Sequence, residues 1–128
     1  MIPDKHRLID ELLDFFKAFS DHTRIAIIWL LTSNMIDKIS VNEISEIIKL
    51  SQPAISQHLK ILKNVGLLKR KKDGNTVYYY VDLKSLEMYK EKIDTLFIKL
   101  FQKCKDPQWK EHHRVINNKE YGEKNNTK

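Results

Sequence analysis

The stretch Ser51-Gln-Pro-Ala-Ile-Ser-Gln-His-Leu-Lys-Ile-Leu-Lys-Asn-Val-Gly66 constrains the chain more than any other. It reads as a helix with two faces of opposite character. Ser51 suits the N-cap, because its hydroxyl can accept from a first-turn amide that has no intrahelical partner. Pro53 falls in that first turn, where a missing N–H costs nothing. Ile55, Leu59, Leu62 and Val65 step by three or four and share a face, while Ser56, Gln57, Lys60, Lys63 and Asn64 point elsewhere. Gly66 follows the last periodic residue, where a left-handed residue is wanted. From Ile47 to Lys72 there is no Asp or Glu, yet seven Lys or Arg occur, so the +6 chain is about −1 everywhere else. A helix apolar behind, hydrogen-bonding at its N-terminal end and flanked by unopposed cations suits a DNA groove.

The flanking segments extend this into a fold. Leu8 to Phe19 predicts a first helix, apolar on two sides through Leu8, Ile9, Leu12, Leu13, Phe15, Phe16 and Phe19. Both sides must be buried, either by the chain's own core or by a second subunit. Ser20 or Asp21 starts a second helix to about Thr32, with Ile25, Ile28, Trp29 and Leu31 as its buried face. Met35 to Ile39 reads as a loop with a short strand at Lys38-Ile39. Ser40-Val-Asn-Glu43 fits a capping box, opening a third helix through Lys49 with Ile44, Ile47 and Ile48 inward. Two short helices joined by about three residues make a helix-turn-helix.

After Gly66 the period changes to two. Leu67 to Lys72 form one strand, Asp73-Gly74-Asn75 a hairpin turn, and Thr76 to Val81 the return strand. A cation-tipped hairpin after such a helix is a wing. Leu83 to about Lys103 predicts a long fifth helix with the stripe Leu86, Tyr89, Ile93, Leu96, Phe97, Leu100 and Phe101. The fold class is therefore mainly α: a winged helix-turn-helix of about five helices and a hairpin, over residues 1–104. Residues 105–128 are polar and expected to be frayed or disordered.

Three signals in order carry a resemblance: Lys17-Ala-Phe-Ser-Asp-His-Thr-Arg24, the Ser51 to Leu67 stretch, and Arg70-Lys-Lys-Asp-Gly-Asn-Thr-Val-Tyr-Tyr79. Between about Leu12 and Phe101 the chain resembles the ArsR family of winged-helix repressors. The resemblance implies a homodimer through the first and last helices, a palindromic operator and release on effector binding. It puts Ser56 and Gln57, with Gln52 and Pro53 beside them, at the base-reading positions. His22 stands where the family usually has Pro. Lys49 stands where a turn Gly is common, so a less tight turn or a left-handed Lys49 is expected. Phosphate contacts are expected from Ser51, His58, Lys60, Lys63, Arg70, Lys71, Lys72 and Asn75. The dimer interface is expected from Leu8, Leu12, Phe15, Leu86, Tyr89, Ile93, Leu96, Phe97 and Leu100.

The family's metal-sensing patterns are missing. Glu43 to Leu50 holds no Cys, and Asp94 is followed by Leu96 where the fifth-helix pattern wants His. Cys104, His112 and His113 remain, but adjacent histidines in a polar tail are usually solvated. No metal or cofactor is expected, and no effector is identified. There is no phosphate-binding Gly loop, nucleophile elbow or His-Glu metal motif, so no enzyme chemistry is expected. A pI near 9.3, one Cys, no long apolar run and no signal-peptide pattern predict a cytoplasmic protein whose partners are double-stranded DNA and itself. The competing expectation is a winged-helix module that binds an acidic protein instead of DNA.

Overall fold

A computed structural model describes residues 2–33 and 38–104, with side chains from His6 onward. Its elements in chain order are α1 (Ile2–Phe19), α2 (His22–Ser33), α3 (Val41–Ile48), α4 (Gln52–Asn64), β1 (Leu68–Asp73), β2 (Thr76–Val81) and α5 (Leu83–Cys104). The chain divides into two compact units, Met1–Lys92 and Ile93–Lys128, with the boundary inside α5. The expected 105–128 tail, with His112 and His113, lies outside the described residues, as does most of the expected 35–39 loop.

In the first unit, α4 is held by its apolar face. Ile55, Leu59 and Leu62 are completely buried, each worth about 2 kcal/mol of transfer free energy. The helix starts where Ser51 Oγ accepts from the Ala54 amide at 3.3 Å, with Pro53 in the first turn. It ends at Gly66, whose φ of +83° closes the bond from Leu67 N to Leu62 O. Leu67, expected in the first strand, is instead a fully buried link between helix and hairpin, and its carbonyl accepts from the Asp82 amide.

Before α4, α3 opens on the expected capping box: Ser40 Oγ accepts from Glu43 N, and the Glu43 carboxylate accepts from Ser40 N, both at 3.2 Å. Ile44 is fully buried, but Ile47 is 56% exposed, a correction to its expected inward position. Lys49 takes φ +64°, the left-handed alternative foreseen for it, and its amide bonds to Ser45 O. The expected strand at Lys38-Ile39 is reduced to a single bridge between Ser40 and Tyr78.

The hairpin pairs Leu68 with Val81 through to Asp73 with Thr76, leaving Gly74-Asn75 as a two-residue turn. Gly74 carries φ +62°, as a glycine-first hairpin turn requires. Leu68 and Val81 are buried and root the hairpin, while the rest of β1 is exposed.

Two helices depart from expectation. α1 begins six residues earlier than Leu8, because Pro3 is tolerated in a first turn. α2 buries Ile27, Ile28 and Leu31, whereas Ile25 and Trp29 are 41% and 74% exposed. The segment is apolar almost all round, so periodicity cannot choose its face. Three expected interface residues are also corrected: Leu12, Phe15 and Tyr89 are buried inside the chain itself. The Phe15 and Tyr89 rings stack at 4.6 Å, and the Tyr89 hydroxyl donates to Val65 O at 2.7 Å. Burial raises the Tyr89 phenol above its ordinary pKa. Lys92 pairs with Glu11 beside it, holding that carboxyl below its usual value.

In the second unit, α5 continues with Ile93 and Leu96 half-buried. Phe97, Ile98, Leu100 and Phe101 are each about half exposed or more.

Lys49→Gly should raise stability by about 1 kcal/mol, because a side chain in the left-handed region is strained and glycine is not. A urea midpoint shifted upward at unchanged m-value is the expected reading. An unchanged midpoint would mean that Lys49 is not strained.

Candidate nucleic-acid interface

The face of α4 opposite its buried stripe carries Gln52, Pro53, Ser56, Gln57, Lys60 and Lys63, all exposed. A cleft of about 350 Å³ lies between the start of α3, the first half of α4 and the hairpin. It brings the expected base readers Gln52 and Ser56 together with Arg70 and Asn75. Gln57, Lys60 and Lys63 are exposed but do not line it. Asn42, Thr76 and Tyr79 do line it and were not foreseen. For Asn42 a signal existed: it sits in the first turn of the leading helix of the helix-turn-helix. Tyr79 is found only through register, as the partner of Arg70.

Strand alternation divides the basic run. Lys69 and Lys71 share one face of β1, and Arg70 and Lys72 the other. Lys69 lies 3.6 Å from the Asp82 carboxylate, which also accepts from Ser85 N and is thereby held below its ordinary pKa. Lys38 pairs with Asp73 at 3.5 Å, over the Tyr78 ring. Lys60, Lys63, Arg70, Lys71 and Lys72 make no ion pair among the described residues. These five cations are therefore free to meet an anion.

His58 is a correction. It was expected at phosphate, but helical spacing puts it on the side of Ile55, Leu59 and Leu62. Its side chain is only 21% exposed. Its Nδ1 lies 3.2 Å from Nη1 of Arg24, on α2, and 3.8 Å from Oδ2 of Asp21, just before that helix. Asp21 caps α2 by accepting from Arg24 N at 3.0 Å. That bond, with the nearby Arg24 charge, holds its carboxyl below the ordinary 3.8, against a smaller opposing effect of desolvation.

Among the described residues no His, Cys, Asp and Glu group is arranged to hold a metal ion. Cys104 is partly buried at the end of α5. No described helix is long and apolar enough to cross a membrane.

A helix-turn-helix with a hairpin wing, five free cations and an amide-and-hydroxyl face defines a winged-helix DNA-binding protein. Residues 21–70 match the model for bacterial regulatory proteins of the arsR family. A helix-turn-helix transcriptional regulator of Methanocaldococcus jannaschii, itself uncharacterised, is 40% identical over 72 residues, covering 56% of this chain and 79% of that one. A cadmium resistance regulatory protein, a CadC homolog of Staphylococcus aureus, is 38% identical over 77 residues, or 60% of this chain and 62% of that one. Among solved structures, reduced HlyU from Vibrio cholerae superposes with a TM-score of 0.58 at 30% identity, over 68% of this chain and 90% of that chain. The chain belongs to the ArsR family and is a DNA-binding transcriptional regulator.

Because the Asp21 carboxyl is held low in the fold, its stabilising contribution is present above about pH 4 and lost as pH falls through the folded value. Asp21→Asn keeps a capping oxygen but cannot titrate. The stability gap between wild type and Asp21→Asn should be steady near neutrality and close in acid. A gap independent of pH would show that the carboxylate charge contributes nothing.

Proposed function

We propose that the protein acts as a homodimer on a two-fold symmetric operator and represses by occupying it. The observation that carries this reading is the placement of Gln52, Ser56 and Arg70 along one cleft, with Lys60, Lys63, Lys71 and Lys72, like Arg70, unpaired among the described residues. In this reading α4 enters the major groove with Gln52, Ser56 and Gln57 at base edges, where amide side chains can pair with adenine. Ser51, Lys60, Lys63, Lys71, Lys72 and Asn75 meet the phosphates, and Arg70 reaches the duplex from beside the base readers. A second copy covers exposed apolar side chains on α1 and α5, among them Phe16, Phe97 and Leu100. Two-fold symmetry then sets the half-sites about 34 Å apart, one helical turn. A bound dimer excludes other proteins from the same stretch, which is the basis of repression.

The alternative, a module docking an acidic protein, has less support. Interface cores are enriched in aromatics and depleted in Lys. The outer face of α4 has no aromatic residue, and its one large apolar side chain, Ile61, is only 36% exposed.

Selection of bound duplexes from a random pool tests the reading directly: it should return a two-fold site with the expected spacing. On that site Gln57→Ala should cost about 1–3 kcal/mol and relax discrimination at one base pair per half-site. Equal weakening on selected and random DNA would remove Gln57 from base reading. Lys71→Ala should weaken all duplexes alike and make the salt dependence shallower by about one charge per subunit. An unaltered slope would take the wing off the phosphates.

A further inference from the structure

Arg24 is engaged by all three of its guanidinium nitrogens. Nε donates to Ala18 O, Nη2 donates to Lys17 O at 3.4 Å, and Nη1 lies 3.2 Å from His58 Nδ1. Its own amide donates to Asp21. One side chain in the first turn of α2 thus ties the end of α1 to the middle of α4.

We infer that Arg24 is a positioning residue for DNA reading, acting through His58 to set the rotation of α4 about its own axis. This rests on the reading of α4 as the groove-entering helix. Arginine has donors and no acceptor, so the contact requires a lone pair on Nδ1 and hence a neutral imidazole carrying its proton on Nε2. Asp21 at 3.8 Å is too far for a hydrogen bond to that ring and instead balances the guanidinium charge.

The apolar stripe cannot do this job alone. Ile55, Leu59 and Leu62 press α4 onto the core, but burial has no directional preference. His58 adjoins Gln57 and lies two residues from Ser56, so its bond fixes the helix at the level of the base readers. With side chains reaching about 6 Å from the helix axis, a 10° roll moves a tip by about 1 Å. That exceeds the roughly 0.5 Å range over which a base-edge hydrogen bond holds. A loosened staple should therefore cost discrimination and leave phosphate binding intact.

The test compares affinities for a duplex selected from a random pool and for a scrambled duplex. Arg24→Met should lower the selected-to-scrambled ratio at least tenfold while affinity for the scrambled duplex stays within twofold. At His58 the position of the acceptor decides. Asn places an oxygen near where Nδ1 stood, and Gln places it near Nε2. His58→Asn should keep the ratio within threefold of wild type, and His58→Gln should lose it as Arg24→Met does. Equal behaviour of Asn and Gln, or an unchanged ratio in Arg24→Met, would overturn the inference. Should Arg24→Met not melt cooperatively, the Asn and Gln pair still decides. Nitrogen NMR of the DNA-free wild type is an independent arm: Nδ1 should be unprotonated and Nε2 protonated, and the opposite tautomer would overturn the contact. A wild type that prefers no sequence would sink the DNA reading itself, a failure visible before any variant is made.

Discussion

One helix must be wet on one side and dry on the other. Ile55, Leu59 and Leu62 have no exposed surface, while Ser56, Gln57, Lys60 and Lys63 are bare on the same thirteen-residue helix. The rest of the first unit can be understood as what that asymmetry demands. The α3 capping box and the short link through Lys49 bring Ile44 against the stripe. The buried Leu67, Leu68 and Val81 root the wing where the helix stops. Among the described residues nothing covers the outer face, and the hairpin stands beside it instead of over it, which leaves the cleft open.

Charge follows the same division. Elsewhere in the chain cations meet acids, Lys92 with Glu11 and Lys38 with Asp73, and Lys69 in the basic run reaches Asp82 outside it. Between Ile47 and Lys72 no acid exists to meet them. Isolated surface pairs contribute little to stability, so their absence here costs the fold almost nothing. It does leave a local positive field that accelerates encounter with a polyanion and weakens as salt rises. Two of these cations are oriented oppositely by the pleat, so the wing presents charge on both faces.

What was legible in the sequence is what short-range chemistry decides. Ser40 with Glu43, Ser51 with Pro53, Gly66 and Gly74 each need only a few neighbours to satisfy an amide or a positive φ, and each stands where its spacing predicts. The buried stripe of α4 was legible because polar residues mark its other side. α2 offered no such contrast, so Trp29 was expected inside and is outside. Leu12, Phe15 and Tyr89 were recognisable as apolar, but one sequence cannot say whether a helix is buried by its own chain or by another. The Asn42–Gln52–Arg70 grouping joins three consecutive elements through their packing, and no periodicity within one of them encodes it. His58 has neighbours in sequence that face the solvent, which suggests phosphate, but its spacing of three and four from Ile55 and Leu62 sets it beside the packed face, the other role such a histidine can take.

The polar ties on α4 have a common origin in helix geometry. The last turn of every helix leaves carbonyls without an intrahelical donor. At the end of α1 the Lys17 and Ala18 carbonyls are taken by Arg24, and just past the end of α4 the Val65 carbonyl is taken by the Tyr89 hydroxyl. Leaving such a carbonyl dry and unpaired would cost about 1–3 kcal/mol. Each therefore favours a donor from a distant element, and each donor brings a second contact with it: Arg24 brings His58, and Tyr89 brings the Phe15 ring. Capping two helix ends in this way also fixes the helix that bears Ser56 and Gln57, at its middle and at its C-terminal end. The geometry of that face is thus set by groups that never approach it.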